Sequence, residues 1–269
     1  MCVHRNLSYS PSTGTLRSVL LMRRAALLFP ALLALALKGD SLPAHRAPVT
    51  PARAPVIMLW AWERPEDLRT LSPDIAGVAF LAQRVFLNDG VHSIPRHQPI
   101  RVPESIYAVA VTRIEIRPGF RDTEAMRAQT AAAIVQTATL ADINGLQIDF
   151  DATPAQRAFY TDVLQRVRAA TPASMSLTMT ALVSWCAESD GWLHTLPVDQ
   201  AIPMHFRLGV HIGYFATREP LCVASVGLST DESQEYPATR PRQVYLFSPK
   251  PWTEAELGQI NQNLLPKAE

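Results

Sequence analysis

The feature that most constrains this chain is a succession of about eight short apolar segments, most of them followed by a stretch of helical periodicity. The segments are Val56–Glu63, Ile75–Leu87, Ser105–Ile116, Leu146–Asp151, Ser176–Trp185, Gln200–Phe206, Leu221–Leu228 and Gln243–Ser248. Strands that alternate with helices pair in parallel, because each crossover helix carries the chain back to the same end of the sheet. The expected fold class is therefore α/β, an irregular eight-stranded (β/α)8 barrel of the TIM type. Roughly 210 residues follow Val56, the short end for that architecture. An open doubly wound sheet is the alternative, and no Gly-rich phosphate loop supports it.

The irregularity is expected after the second strand. Asn88 to Pro103 holds the turn signal Asn88-Asp89-Gly90, three prolines and two histidines. No helix fits there, so the segment reads as a hairpin or an extended loop. Elsewhere helix signals are plain. Asp122 is positioned to cap a helix over Thr123–Leu140. Thr153 caps and Pro154 opens a helix that runs to Ala170, with Phe159, Val163, Leu164 and Val167 on one face. Thr253 and Glu256 form a capping box for a terminal helix ending near Leu265. Shorter helical stretches are expected over Pro65–Leu71, near Gly191–Leu193 and, weakly, over Gly209–Thr217. Asp231–Pro241 reads as irregular.

The N-terminal part follows a different logic. Arg23-Arg24 precede an apolar run from Ala25 to Leu37, and Ser41-Leu42-Pro43-Ala44 supplies a small-residue exit. This is the pattern of a secretory signal peptide. The run is short against the roughly 20 residues of a membrane span. The expected organisation is an upstream extension over 1–21, a signal peptide over 22–44, a Pro/Ala-rich linker over 45–55 and the barrel over 56–269. The expected location is periplasmic or secreted, with membrane attachment only if the signal stays uncleaved. Cys186 and Cys222 remain in the exported part, either as a disulfide or as two small buried thiols. The net charge of +1 gives no basic footprint for a nucleic-acid partner.

In a parallel barrel the active residues sit at the carboxyl ends of strands. On the fourth strand Leu146, Ile148 and Phe150 alternate with Gln147, Asp149 and Asp151, so three polar side chains share one face. Trp60, Trp62 and Glu63 end the first strand, Trp185 the fifth, and His205 and Arg207 the sixth. Aromatic rings around a carboxylate pair suit a carbohydrate, whose flat apolar faces stack on rings while carboxylates handle the glycosidic oxygen. The candidate catalytic residues are Asp151 as proton donor and Asp149 as its modulator. Gln147, Trp60, Trp62, Glu63, Trp185, His205 and Arg207 are candidates for substrate binding. Each has a plainer reading: the tryptophans as core, His205 as structural, and Arg207 as the counter-charge of Asp149 or Asp151. His92, Arg96 and His97 read as surface, and neither a metal nor a cofactor is expected.

Asn144 to Asp151 resembles the fourth-strand signature Asp-Gly-x-Asp-x-Asp-x-Glu of family 18 glycoside hydrolases, the chitinase-like barrels. Its positions fall on Asn144, Gly145, Gln147, Asp149 and Asp151. The resemblance implies that Asp151 stands at the general-acid position and Asp149 where the substrate's acetamido group is oriented. Asp151 is one methylene shorter than the family's Glu, and Gln147 replaces a carboxylate. Met204-His205-Phe206-Arg207 is faintly similar to the family's Met-x-Tyr-Asp. From Val56 to Trp252 the chain is also similar to an uncharacterised bacterial family, domain of unknown function 3142. That similarity lies in Trp60-x-Trp62-Glu63, Gln147-Ile148-Asp149-Phe150-Asp151 and Met204-His205-Phe206. It implies a glycosidase-like barrel without an assigned activity. The expected function is an exported glycoside hydrolase-like protein acting on a polysaccharide. The alternatives are a non-catalytic carbohydrate-binding barrel and a structural envelope protein.

Overall fold

The computed structural model describes residues 54–187, 191–208, 219–232 and 242–262. The expected extension, the signal peptide, all but the end of the linker, the Gly209–Thr217 connection, most of Asp231–Pro241 and the stretch to Leu265 lie outside the described residues.

The chain runs through β1 (Ile57–Ala61), β2 (Glu66–Asp67), β3 (Ala76–Leu87), β4 (Val91–Pro95), β5 (Ile100–Arg101), β6 (Ala108–Ile116) and α1 (Glu124–Thr137). It continues through β7 (Gly145–Asp149), α2 (Arg157–Ala170), β8 (Ser176–Leu182), α3 (Val183–Ala187), β9 (Gln200–Met204), β10 (Ser225–Ser229), β11 (Gln243–Phe247) and α4 (Glu254–Asn261). Eight strands pair in parallel in the order β1-β3-β6-β7-β8-β9-β10-β11, and β11 pairs back onto β1. The sheet is thus the closed α/β barrel expected, not the open alternative.

The irregularity falls where it was expected and takes a definite form. After β3 the chain turns at Asn88–Gly90 and returns as β4, antiparallel to β3, with no helix before β6. Pro65–Leu71 is not the short helix expected. Glu66 and Asp67 instead pair as β2 with β5, closing a small second sheet. At α1 the cap is Thr123, which accepts the Met126 N–H, and Asp122 binds Arg127 instead. Thr153 and Pro154 act as expected, through a capping box with Gln156 and a 3-10 turn leading into α2.

Burial divides the barrel into inner and outer layers. The inner cluster is Met58, Trp60, Ala79, Val109, Val111, Ile202 and Tyr245. Outside, Leu146, Ile148 and Phe150 of the β7 strand and its end pack on Phe159, Tyr160, Val163 and Leu164 of α2. Ile57, Leu59, Val244 and Leu246 pack with Leu257 and Ile260 of α4. Among the described residues the inside–outside alternation breaks in β3. The β3–β6 register shifts between Leu81 and Gln83. Before the shift Gly77 and Ala79 point inward; after it Val85 and Leu87 point outward and Arg84 lies beside Arg113.

Candidate active site

The carboxyl ends of the strands enclose a cleft of about 290 Å3. Trp60, Trp62, Met204, Phe206 and Phe247 wall it, and Arg113, Gln147, Asp149 and Thr180 supply its polar groups. Its position follows from register. Arg113 on β6 is the direct partner of Asp149 on β7, and Val111 is that of Gln147. Consecutive inward positions of β7 therefore bring first an amide and then a carboxylate to the mouth.

Gln147 is fully buried at the floor. Its Oε1 accepts from Trp60 Nε1 at 2.6 Å and its Nε2 donates to Thr178 Oγ1 at 3.3 Å. Trp60 is also nearly buried, and its ring packs against Tyr245 at 5.3 Å and Phe206 at 6.3 Å. Gly227 makes room for it, since a Cβ there would lie 3.0 Å from the Trp60 ring. Phe206 and Phe247 stack in parallel at 5.4 Å beside it.

Asp149 is 4% exposed. Oδ1 accepts from Thr180 Oγ1 at 2.8 Å, and Oδ2 is bound by Arg113 Nη1 at 2.6 Å. Asp151 lies past the strand end, with its side chain 48% exposed, and meets Arg113 Nη2 at 3.4 Å. One guanidinium thus bridges both carboxylates and also sits 5.9 Å from the Trp62 ring centroid. Partial burial, and secondarily the charge of Asp149, push the Asp151 carboxyl above the usual aspartate range, against the opposing pull of Arg113. Burial works against the charge on Arg113, but Asp149, Asp151 and Glu115 outweigh it and keep the guanidinium firmly protonated.

The other candidates lie elsewhere. Trp185 does not end a strand: β8 stops at Leu182 and Trp185 sits on α3, buried in the outer core and edge-on to Trp192 at 5.3 Å. Arg207 does not neutralise the carboxylate pair. It binds Asp231 at 2.7 Å and Glu232 at 2.6 Å, on exposed chain after β9. Glu63 Oε1 accepts the backbone N–H groups of His97 and Gln98, both at 3.0 Å. His205 is half-buried next to the cleft's Met204 and Phe206, and burial lowers its imidazole below the ordinary histidine value. Sequence reasoning missed Arg113 and Thr180. The signal for Arg113 was available, since it continues the inward positions Val109 and Val111 of its strand. Its pairing with Asp149 depends on the β6–β7 register, which sequence pattern alone does not supply.

Cys186 on α3 and Cys222 form a disulfide, with sulfurs 2.10 Å apart. Among the described residues no group of three or more His, Cys, Asp or Glu is placed to hold a metal ion. Among them, too, no helix is long and apolar enough to cross a membrane.

No protein-family model matches the chain, and no curated protein does. The expected similarity to domain of unknown function 3142 is therefore not supported by a family match. Among solved structures the chain is similar to the spore cortex-lytic enzyme SleL of Bacillus cereus, with 14% identity and a TM-score of 0.43. The match covers 70% of this chain and 55% of that enzyme, so the chain spans about half the length of its structural relative. At that identity no residue role passes from one to the other.

Proposed function

We propose that this protein is an exported glycoside hydrolase-like barrel that acts on a polysaccharide through the carboxylates of the fourth barrel strand. The observation that carries the reading is the cleft itself. Two tryptophans and two phenylalanines enclose a small volume whose polar corner is Asp149, Arg113 and, at the rim, Asp151. Aromatic walls fit the apolar faces of a sugar ring. Asp151 is the proton donor: it is reachable from solvent, and its environment favours the protonated form. Asp149 is buried and held by Thr180 on one oxygen and by Arg113 on the other, so its role is to orient substrate with its remaining lone pairs and to raise Asp151 rather than to attack. Gln147 is held by Trp60 and Thr178 and fixes the floor. The Cys186–Cys222 disulfide agrees with an oxidising compartment, hence with export and a periplasmic or secreted location. A polysaccharide of the cell envelope is within reach of a protein placed there.

The test is Asp151→Asn, assayed for reducing-sugar release from a panel of bacterial and host polysaccharides. Hydrolysis is expected to vanish while glycan binding and the folded spectrum persist. Undiminished hydrolysis would overturn the assignment of Asp151. A second reading, a non-catalytic carbohydrate-binding barrel, is favoured by the Arg113 bridge, which engages both carboxylates. Glycan binding by the wild-type chain with no turnover on any member of the panel selects that reading.

A further inference from the structure

The hairpin that replaces the helix after the second barrel strand does more than fill a gap. Beyond β4, Arg96 folds back over the end of β1. Its Nη1 donates to the carbonyls of Trp62 at 2.5 Å and Ala61 at 3.3 Å, and its Nη2 to that of Arg64 at 2.5 Å. Its Nε is taken by Gln98 O at 2.8 Å. Its backbone N–H donates at 2.8 Å to Ala82 O, the residue at the β3 register shift. The reverse contact comes from Glu63, whose Oε1 holds the N–H groups of His97 and Gln98. Two side chains thus tie two loops together in both directions, and Trp62 sits between them with its ring in the cleft wall.

The placement is costly for an arginine. No carboxylate lies within ion-pair distance of Arg96 among the described residues, and burial works against its charge, with Glu63 and Glu66 only nearby. A planar guanidinium suits the task because its fixed fork reaches several carbonyls at once. Those carbonyls belong to Trp62 itself and to its neighbours Ala61 and Arg64, and the Trp62 ring also faces Arg113. Lysine offers a single ammonium and cannot span them.

We propose that Arg96 is a positioning residue for the saccharide cleft: through the carbonyls of Ala61, Trp62 and Arg64 it fixes the Trp62 ring as a stacking wall, with Glu63 completing the clasp. This rests on the reading of the cleft as a sugar site. The experiment is run on the full chain with Arg96→Met, Arg96→Lys, Trp62→Ala and the double variant Arg96→Met/Trp62→Ala. Two readouts are taken. The first is acrylamide quenching of Trp62 fluorescence, obtained by subtracting the matching Trp62→Phe variant from each protein. The second is affinity for soluble chitin oligomers and muropeptides. In Arg96→Met, Trp62 is expected to become as quenchable as free indole, with Arg96→Lys in between. Affinity is expected to fall roughly tenfold, the size of one lost stacking contact, and the double variant to be no weaker than Trp62→Ala alone. Unchanged Trp62 quenching in both Arg96 variants, or losses that add in the double variant, would overturn the proposal. If Trp62→Ala leaves saccharide binding intact, the cleft reading fails, and the quenching result still decides the role of Arg96. Should Arg96→Met not fold, Arg96→Lys and Glu63→Ala carry the same comparison.

Discussion

Asp149 and Asp151 stand two positions apart, yet their surroundings assign them different chemistry. The first is buried, ion-paired and hydrogen-bonded. The second is half out of the protein and above its ordinary pKa because of burial and of its neighbour's charge. Asp149→Asn removes that charge, so the Asp151 pKa is expected to fall. A proton donor works only while protonated, so the alkaline limb of the rate–pH profile is expected to shift to lower pH; a shift upward would contradict the coupling. The same elevation bears on stability. A carboxyl whose folded pKa lies above its unfolded value favours folding below the unfolded pKa, and that contribution is lost as pH rises through the folded one. Ionised Asp151 is therefore a burden at neutral pH. Asp151→Asn is expected to melt no lower than wild type there, and any advantage to disappear in acid, as thermal melts across pH would record. The alternation of Val109, Val111 and Arg113 places Arg113 on the inner face, but its pairing with Asp149 stays invisible until the strand next to it is known.

At the scale of elements, period-two alternation made the eight strands and the inner face of Gln147, Asp149 and Asp151 legible. Strand ends were less so. Ser176–Trp185 reads as a single strand, but β8 ends at Leu182 and the chain coils into α3, which swings Trp185 from the mouth to the outer core. Helical turns and strand ends share the same apolar residues over so short a span, and tertiary packing decides between them. Ser105–Ile116 likewise begins late, at Ala108. The interior of β10 offers a direct test of the packing around Trp60. In Gly227→Ala the new methyl meets the indole at 3.0 and 3.2 Å. Overpacking of this kind costs about 1–3 kcal/mol, and the Trp60–Gln147 hydrogen bond is expected to break as the ring shifts. Urea unfolding would give the loss, and near-ultraviolet circular dichroism would report the displaced indole.

At the scale of the molecule, the barrel closes through its parallel ladder, and the Cys186–Cys222 bond adds a covalent tie across 36 positions of sequence. Closing a loop of that length restricts the unfolded chain by about 4 kcal/mol in the entropic account. Reduction, or a Cys186→Ser/Cys222→Ser pair, is expected to lower the melting temperature by roughly 10 °C. The cleft should survive this below the transition, since its walls come from strands that the bond does not join. Melts with and without reductant would show it.

The register shift at Ala82 behaves like a reading frame for side chains. Upstream of it, β3 sends its even-numbered residues outward, as with Val78; downstream it sends the odd-numbered ones, as with Val85 and Leu87. Removing that one residue would leave Leu81 opposite Val111 and Gln83 opposite Thr112 in an unbroken ladder, with Val85 and Leu87 still on the outer core and Arg84 still beside Arg113. It would also remove the carbonyl that receives Arg96. The extra residue therefore serves the clasp of Arg96, whereas the side chains on either side of it keep their faces without it.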